Sequence, residues 1–265
     1  MFDARIGIGE IDMRALITGA ATGIGAATAE RLRARGYEVV AMDIAEPSGV
    51  DSWVPVDMSD PVAIEAAVAQ LSGSFDCLIN NAGLPPRDGL EAKILAVNFT
   101  GMVQLTNAVL PMLKPGGSIV TTASRAGAFW RDNIVQIKAL MALKAGDLGA
   151  FIASEGLDPV RAYNLSKEAT IVWSMAQTER LLKSDLRINT VSPAAVSTGI
   201  LDDFAAAFGE RMALNVARVG RPGLAGEVAD VIVYMASPDS GWLKGIDITV
   251  DGGMSAIGQS DAMEL

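Results

Sequence analysis

The sequence predicts one doubly wound α/β domain: a parallel sheet of seven strands with helices on both faces. Three observations predict it. Residues 18–25 read Thr-Gly-Ala-Ala-Thr-Gly-Ile-Gly directly after the apolar run Ala15-Leu16-Ile17, a strand, a glycine turn and the start of a helix. Beyond it, short apolar runs alternate with amphipathic helical stretches along the chain, the pattern of strands joined by crossover helices. Finally, 265 residues with half of them apolar suit one large core, and no repeat, low-complexity tract or linker divides them.

The elements follow in order. Residues 14–18 form the first strand. Residues 24–35 have helical spacing, with Ala27 and Leu32 inward, Glu30, Arg31 and Arg33 outward, and Gly36 as the stop. Residues 38–42 are a second strand ending at Asp43, and 53–56 a third ending at Asp57. Ser59 reads as a helix N-cap with Pro61 in the first turn, and that helix runs to about Leu71. Residues 76–79 are the fourth strand. A helix from about Leu90 to Leu113 stops at Pro115-Gly116-Gly117, and 118–122 is the fifth strand. A long segment, 125–160, comes next. A helix holding Tyr163 runs to about Lys183, then come strands at 187–191 and 246–250 with a helix near 227–235 between them. The domain spans 13–255, behind an extension of residues 1–12.

Composition excludes several chemistries. The formal charge is −10, which repels nucleic acid and anionic membrane, so neither is an expected partner. The chain has no histidine, which removes Ser-His-Asp triads, Cys-His pairs and His-ligated metal sites; no metal is expected. Proton transfer falls to Tyr, Lys, Asp, Glu or Cys. Cys77, the only cysteine, sits in an apolar run and reads as inert core. One thiol and no signal-like leader predict a cytoplasmic protein. No apolar stretch reaches the roughly 20 residues that a membrane-spanning helix needs.

The glycine turn can cradle a dinucleotide pyrophosphate. Gly19 turns the chain out of the strand, Gly23 leaves room for a phosphate, and Gly25 lets the helix lie close to the sheet. Thr22, Gly23 and Ile24 then present free N–H groups at the positive end of the helix dipole. Asp43, at the end of the second strand, stands where a carboxylate would bond the adenosine ribose of NAD and repel the 2′-phosphate of NADP. No Arg or Lys lies beside it or in the glycine turn to compensate. An exposed loop aspartate is the plainer reading.

Tyr163 and Lys167, four apart on a helix, share one face. An ammonium there favours the phenolate and would lower a pKa that is ordinarily near 10. By itself the pair also fits a plain helix surface. Ser124 ends the fifth strand, where the carboxyl ends of strands line a ligand crevice. Asn81, Ala82 and Gly83 end the fourth strand, small enough for a cofactor to approach. Asn98 occupies a helix interior, which asparagine disfavours; it either bends the helix and holds a water or is an ordinary polar position.

Together, TGAATGIG, Asp43, Asp57, NNAG, Asn98, Ser124, YNLSK, the segment 187–198 and the closing Val250-Asp251-Gly252-Gly253 resemble the short-chain dehydrogenase/reductase family over essentially all of 13–255. The resemblance implies a Rossmann-type fold and a set of roles. Tyr163 is the general acid/base. Lys167 lowers its pKa and bonds the nicotinamide ribose. Ser124 orients the substrate oxygen. Asn98 holds a water in the proton relay. Asp57 contacts the adenine, and the loop of Pro193, Val196 and Thr198 meets the nicotinamide carboxamide.

Three departures narrow the branch. Ser124 and Tyr163 stand further apart than in ordinary members, the stretch from Gly83 to Asn98 is shorter, and Pro193-Ala194 replaces Pro-Gly. The first two resemble an insertion-bearing branch of coniferyl-alcohol dehydrogenases and 3α-hydroxysteroid dehydrogenase/carbonyl reductases. Ala194 resists backbone angles that glycine takes freely. The expected function is therefore NAD-dependent interconversion of an alcohol and a carbonyl, with a coniferyl-alcohol-like aromatic substrate ahead of a hydroxysteroid. A non-catalytic NAD-sensing regulator is the alternative of another class.

Two segments carry further expectations. Residues 133–144 have apolar positions at helical spacing with Asp132 as N-cap, so the insertion at 125–160 should hold at least one extra helix. The branch resemblance implies that this helix blocks a helix-paired subunit interface, which favours a homodimer over a homotetramer. Residues 198–222 place Ile200, Leu201, Phe204, Phe208 and Met212 on one apolar face. That face is either core or a substrate lid, flexed at Gly199, Gly209 and Gly220, in which Phe204 or Phe208 touches the substrate.

Overall fold

Strand residues alternate between two cores, and that alternation sets the architecture. In this computed structural model, which describes residues 13–144 and 146–265, Leu16, Val40, Met42, Leu78, Ile119 and Ile188 face one side of a sheet. Ala15, Ile17, Val39, Cys77, Val120 and Val191 face the other. Successive strand side chains point to opposite faces, so a sheet covered on both sides reads as nearly unbroken apolar runs. The extension expected at 1–12 lies outside the described residues.

The strands are β1 (Met13–Thr18), β2 (Tyr37–Asp43), β3 (Ser52–Pro55), β4 (Phe75–Asn80), β5 (Leu113–Thr122), β6 (Arg187–Pro193) and, after a separate short pair, β9 (Asp247–Val250). They form one parallel seven-stranded sheet in the order β3-β2-β1-β4-β5-β6-β9. The order reverses between β1 and β4, and a ligand crevice opens there beyond the carboxyl ends of the strands. The short pair, β7 (Val196–Ser197) and β8 (Gly223–Leu224), joins the two ends of the lid segment. Helices α1 (Gly23–Ala34) and α9 (Ala225–Ala236) contribute to the core on one face. Helices α2 (Pro61–Val68), α3 (Glu91–Leu95), α4 (Met102–Val109) and α7 (Pro159–Leu182) contribute to the other.

Several expectations are corrected. Asp60, not Ser59, caps α2: it accepts from the N–H groups of Val62 and Ala63, because Pro61 is the first helical residue. The long helix expected from about Leu90 to Leu113 is broken into α3, a π-helical turn (Ala96–Gly101), α4 and a 3₁₀ turn (Leu110–Met112). The whole run Glu91–Met112 is long and apolar enough, by length and composition, to cross a membrane, contrary to the sequence reading. Here Ile94, Leu95, Leu105 and Val109 are fully buried in the protein core. The C-terminal helix α10 (Met254–Ala262) was not foreseen.

The insertion holds two helices, α5 (Ile134–Met141) and α6 (Leu148–Glu155). Asp132 does not cap α5; Asn133 takes the cap position and spends its amide on Phe129 O and Glu168. Helix α5 packs on α7 and α6 on α3. A bidentate ion pair inside α7, Arg161 to Glu168 at 3.0 and 2.6 Å, anchors this layer, and Arg161 also donates to Gln136 of α5.

Candidate active site

A crevice of about 1010 Å³ runs along the carboxyl ends of the strands, at the upper end of small-molecule sites. One end is the glycine turn. Thr18 Oγ1 accepts from the N–H groups of Asn81 and Ala82, and Asn81 Nδ2 donates to Gly19 O, so the turn is tied to the end of β4. Gly19 has φ +69°, and a Cβ there would fall 2.6 Å from Ala82 Cα. Thr22 precedes α1 without a side-chain cap, and the first turn of α1 has no acidic residue. Thr22, Gly23 and Ile24 line the crevice, so orphan N–H groups and the positive dipole end face it. A dinucleotide pyrophosphate fits this donor set.

Asp43 is fixed at the same end. Its Oδ2 accepts from Ala21 N at 2.9 Å and its Oδ1 from Ala45 N at 3.1 Å. Its neighbour Ile44 is apolar and exposed, and no ion pair to Asp43 forms among the described residues. Asp57 lines the crevice too, but one oxygen accepts from Ser59 and the other from Lys93. Those bonds, the Ser59 hydroxyl first, hold its carboxyl below the usual range. Ala82 and Gly83 line the middle, beside Lys167 Nζ and Asn98 Oδ1.

Tyr163 and Lys167 stand on α7 with Ser124 opposite, at the start of the turn Arg125–Gly127. Ser124 Oγ accepts from Ala126 N and lies close enough to the phenol to favour its ionised form. Lys167 Nζ donates to Thr122 O at 2.8 Å and lies 5.8 Å from the Tyr163 ring centre. Burial pushes the Tyr163 phenol up to about 12, against the lowering effect of Ser124. Burial likewise pulls Lys167 down to about 8. The expected lowering of the phenol by the ammonium is thus absent here: burial, opposed only by Ser124, sets the direction.

Asn98 sits, 3% exposed, in the π-helical turn, so the helix does deform there. Its Oδ1 accepts from Leu84 N at 2.7 Å, and its Nδ2 donates to Leu84 O and Ser166 Oγ. Both amide hydrogens are committed to this clamp, so one carbonyl lone pair is what the side chain retains for the water-holding role expected of it.

Pro193 ends β6, and Val196 pairs with Gly223 in the β7–β8 ladder. The Thr198 methyl lies over Gly23, where a Cβ would come within 3.2 Å of it. Ala194 donates to Val250 O and has no positive φ, so the loop does not need the glycine it lacks. Helix α8 (Leu201–Val219) follows, interrupted at Gly209 (φ 52°, ψ −138°). None of its residues is buried. Phe204 meets the Tyr163 ring edge-on at 5.3 Å and Phe208 at 6.4 Å, and the two phenylalanines stack. The apolar face therefore covers the crevice instead of joining the core. Bidentate pairs fasten both ends of this lid, Arg87 to Asp203 and Arg218 to Asp261.

The sequence reading missed Thr18, Thr122 and Arg125. Their signal was position: each ends a strand or follows one at the crevice, where any hydroxyl, carbonyl or cation is within reach of a ligand. Among the described residues no acidic or sulfur cluster could hold a metal.

Comparison with known proteins adds relatives to this geometry. The family profile for short chain dehydrogenase matches residues 13–136, and that for enoyl-(acyl carrier protein) reductase matches 147–255. Coniferyl-alcohol dehydrogenase from Pseudomonas sp. is 38% identical over 91% of this chain and 96% of its own. The 3-alpha-hydroxysteroid dehydrogenase/carbonyl reductase of Comamonas testosteroni is 32% identical over the same shares. Among solved structures, the 3-alpha-hydroxysteroid dehydrogenase of a Pseudomonas sp., complexed with NADH, superposes with a TM-score of 0.82 at 28% identity, over 93% of this chain and 98% of that one.

Proposed function

The chain belongs to the short-chain dehydrogenase/reductase family, oxidoreductases of alcohols and carbonyls that use a nicotinamide cofactor, and on that premise we propose an NAD-dependent aromatic-alcohol dehydrogenase, coniferyl alcohol being the model substrate. The observation that carries this reading is the aromatic cage of Phe204 and Phe208 closed on the ring of Tyr163, directly over the proton-carrying group. A flat aryl group suits such walls. The similarity to two hydroxysteroid dehydrogenases keeps an alicyclic alcohol as the second reading.

The residues divide the work. Ser124 and Tyr163 hold the substrate oxygen, and Tyr163 takes the hydroxyl proton in oxidation or returns it in reduction. Lys167, anchored on Thr122 O, supplies positive charge beside the phenol. Asn98 holds the Leu84 loop and Ser166 of α7, the residue before Lys167, in register. The α8 lid keeps water from the reacting atoms. A bound NAD⁺ would supply a hydride acceptor for the carbinol carbon and positive charge in the crevice. Gly19, Thr22, Gly23, Ile24, Asp43, Asp57, Asn81, Ala82 and the loop Pro193–Thr198 would hold it.

The test is a panel of aryl and alicyclic alcohols with each cofactor, read as nicotinamide absorbance. Coniferyl alcohol and NAD should give the highest kcat/KM, and no turnover of any aryl alcohol would sink the substrate reading. Because Asp43 is a fixed carboxylate without a compensating cation, NAD should exceed NADP by about tenfold or more in kcat/KM, at least about 1.4 kcal/mol. Asp43→Ala should narrow that gap; equal use of both cofactors by the wild type would refute the assignment.

Phe204→Ala tests the lid. Loss of one edge-on aromatic contact, about 0.5–1.5 kcal/mol, should raise KM for a bulky aryl alcohol roughly 2- to 10-fold. NADH affinity and Tm should stay nearly constant, since no residue of α8 is buried. A Tm loss of several degrees would mean that the face is core after all.

The assembly we propose is a homodimer, because α5 and α6 cover α7 and α3, the helices beside the insertion. Light scattering should give twice the chain mass; a tetramer paired through α7 would overturn this.

A further inference from the structure

Arg125, next to Ser124, is a crevice residue that the proposed mechanism leaves unused. Its Nε lies 3.6 Å from Asp251 Oδ2, too far for a hydrogen bond, and is shut off from solvent without a partner. No other nitrogen of this guanidinium bonds to a described residue. A guanidinium carries five N–H donors in a rigid fork; unlike Nε, its terminal nitrogens reach solvent and keep their donors for a ligand. Asp251 does not depend on Arg125. Its carboxylate accepts from Gly253 N, Ser255 N and the Ser255 hydroxyl, all in its own turn.

Arg125 lines the crevice next to Ser124. Val219 of the lid packs against Gly252, so the wall formed by Asp251 and Gly252 carries the lid's far end. Arg125 thus links Ser124, its neighbour in sequence, to that wall through its approach to Asp251. Phe129, Phe204 and Phe208 line the same crevice.

Charge selects the ligand class. Asp251 is beside the guanidinium, and the half-buried Asp247, which accepts from Thr190 and Ser192 hydroxyls, feels its charge as well. A substrate carboxylate would meet the like charge of Asp251 there. An uncharged acceptor oxygen gains the free donors without that repulsion. We propose that Arg125 determines specificity by donating hydrogen bonds to an uncharged oxygen of the substrate, a phenol, ether or remote hydroxyl, away from the carbinol carbon. This rests on the alcohol-dehydrogenase reading of the same crevice.

The test separates the two. Cinnamyl alcohol, coniferyl alcohol and 4-carboxycinnamyl alcohol are titrated calorimetrically into the NADH-bound enzyme, and turnover with NAD is measured independently. Turnover judges the dehydrogenase reading, and the binding ratio judges Arg125. In the wild type, coniferyl alcohol should bind about tenfold tighter than cinnamyl alcohol, the scale of hydrogen bonds to a charged group, and tighter than the carboxylate. Arg125→Met should bring the coniferyl-to-cinnamyl ratio near one, and Arg125→Lys, a cation without the fork, should fall between. NADH affinity and Tm of each variant are recorded beside the ratio. An unchanged ratio in Arg125→Met, an equal loss on both alcohols, or tightest binding of the carboxylate would each overturn the proposal.

Discussion

Tyr163→Phe should lower kcat by about 10²–10⁴, the usual worth of a positioned general acid–base group, while NADH still binds. The substitution removes one oxygen and keeps the ring that packs against Phe204 and Phe208. Ser124 keeps its bond from Ala126 N, so Tm should move by no more than a few degrees. A variant that kept a tenth of the activity would show that another group carries the proton. The pH profile gives a second readout. Oxidation needs the phenolate as acceptor, and burial, opposed by Ser124, pushes the phenol up to about 12. Lys167, which burial pulls down to about 8, stands 5.8 Å from the centre of the same ring. Lys167→Ala removes the cation that favours phenolate, so the basic rise in activity should move to higher pH. A shift to lower pH would contradict the arrangement.

Much of this site is legible in the chain because its parts are local. The glycine turn is eight consecutive residues, and Tyr163 and Lys167 are one helical turn apart. Strand ends could be placed because parallel strands buried on both faces read as apolar runs. What was illegible depends on partners distant in sequence. Asn98 announces itself as misplaced in a helix, but its clamp on Leu84 and Ser166 exists only after α7 folds against the π-helical turn. The tie from Thr18 to Asn81 and Ala82 spans more than sixty residues. The expected pull of Lys167 on Tyr163 followed from spacing alone, whereas the balance between that pull and desolvation is set by everything packed around them. The lid face of 198–222 has a periodicity that core and crevice share, and the contact with Tyr163 is what tells them apart.

Gly25→Ala should destabilise the protein, although alanine in a helix ordinarily stabilises by about 1 kcal/mol relative to glycine. Gly25 is buried in the first turn of α1. A Cβ there would lie 1.8 Å from Gly19 O and 2.5 Å from Asn81 Nδ2. Those two atoms are the ends of the 2.9 Å hydrogen bond that ties the glycine turn to β4. The helix would have to move off the sheet or the bond would have to break, and either deforms the cradle. Overpacking of this kind costs about 1–3 kcal/mol, which lowers Tm by roughly 2–10 °C in a domain of this size. NADH affinity should fall as well, because the orphan N–H groups of α1 would no longer converge on one point. Gly149 is the control within the same chain. It lies in α6, exposed, with no atom within 4 Å of an added Cβ and without a positive φ. Gly149→Ala should raise Tm slightly and leave NADH affinity alone. One substitution type then has opposite signs at two helical positions, separated only by what each Cβ would meet. If Gly25→Ala matched Gly149→Ala in both readouts, the close approach of α1 to the sheet, and with it the geometry of the cofactor cradle, would be wrong.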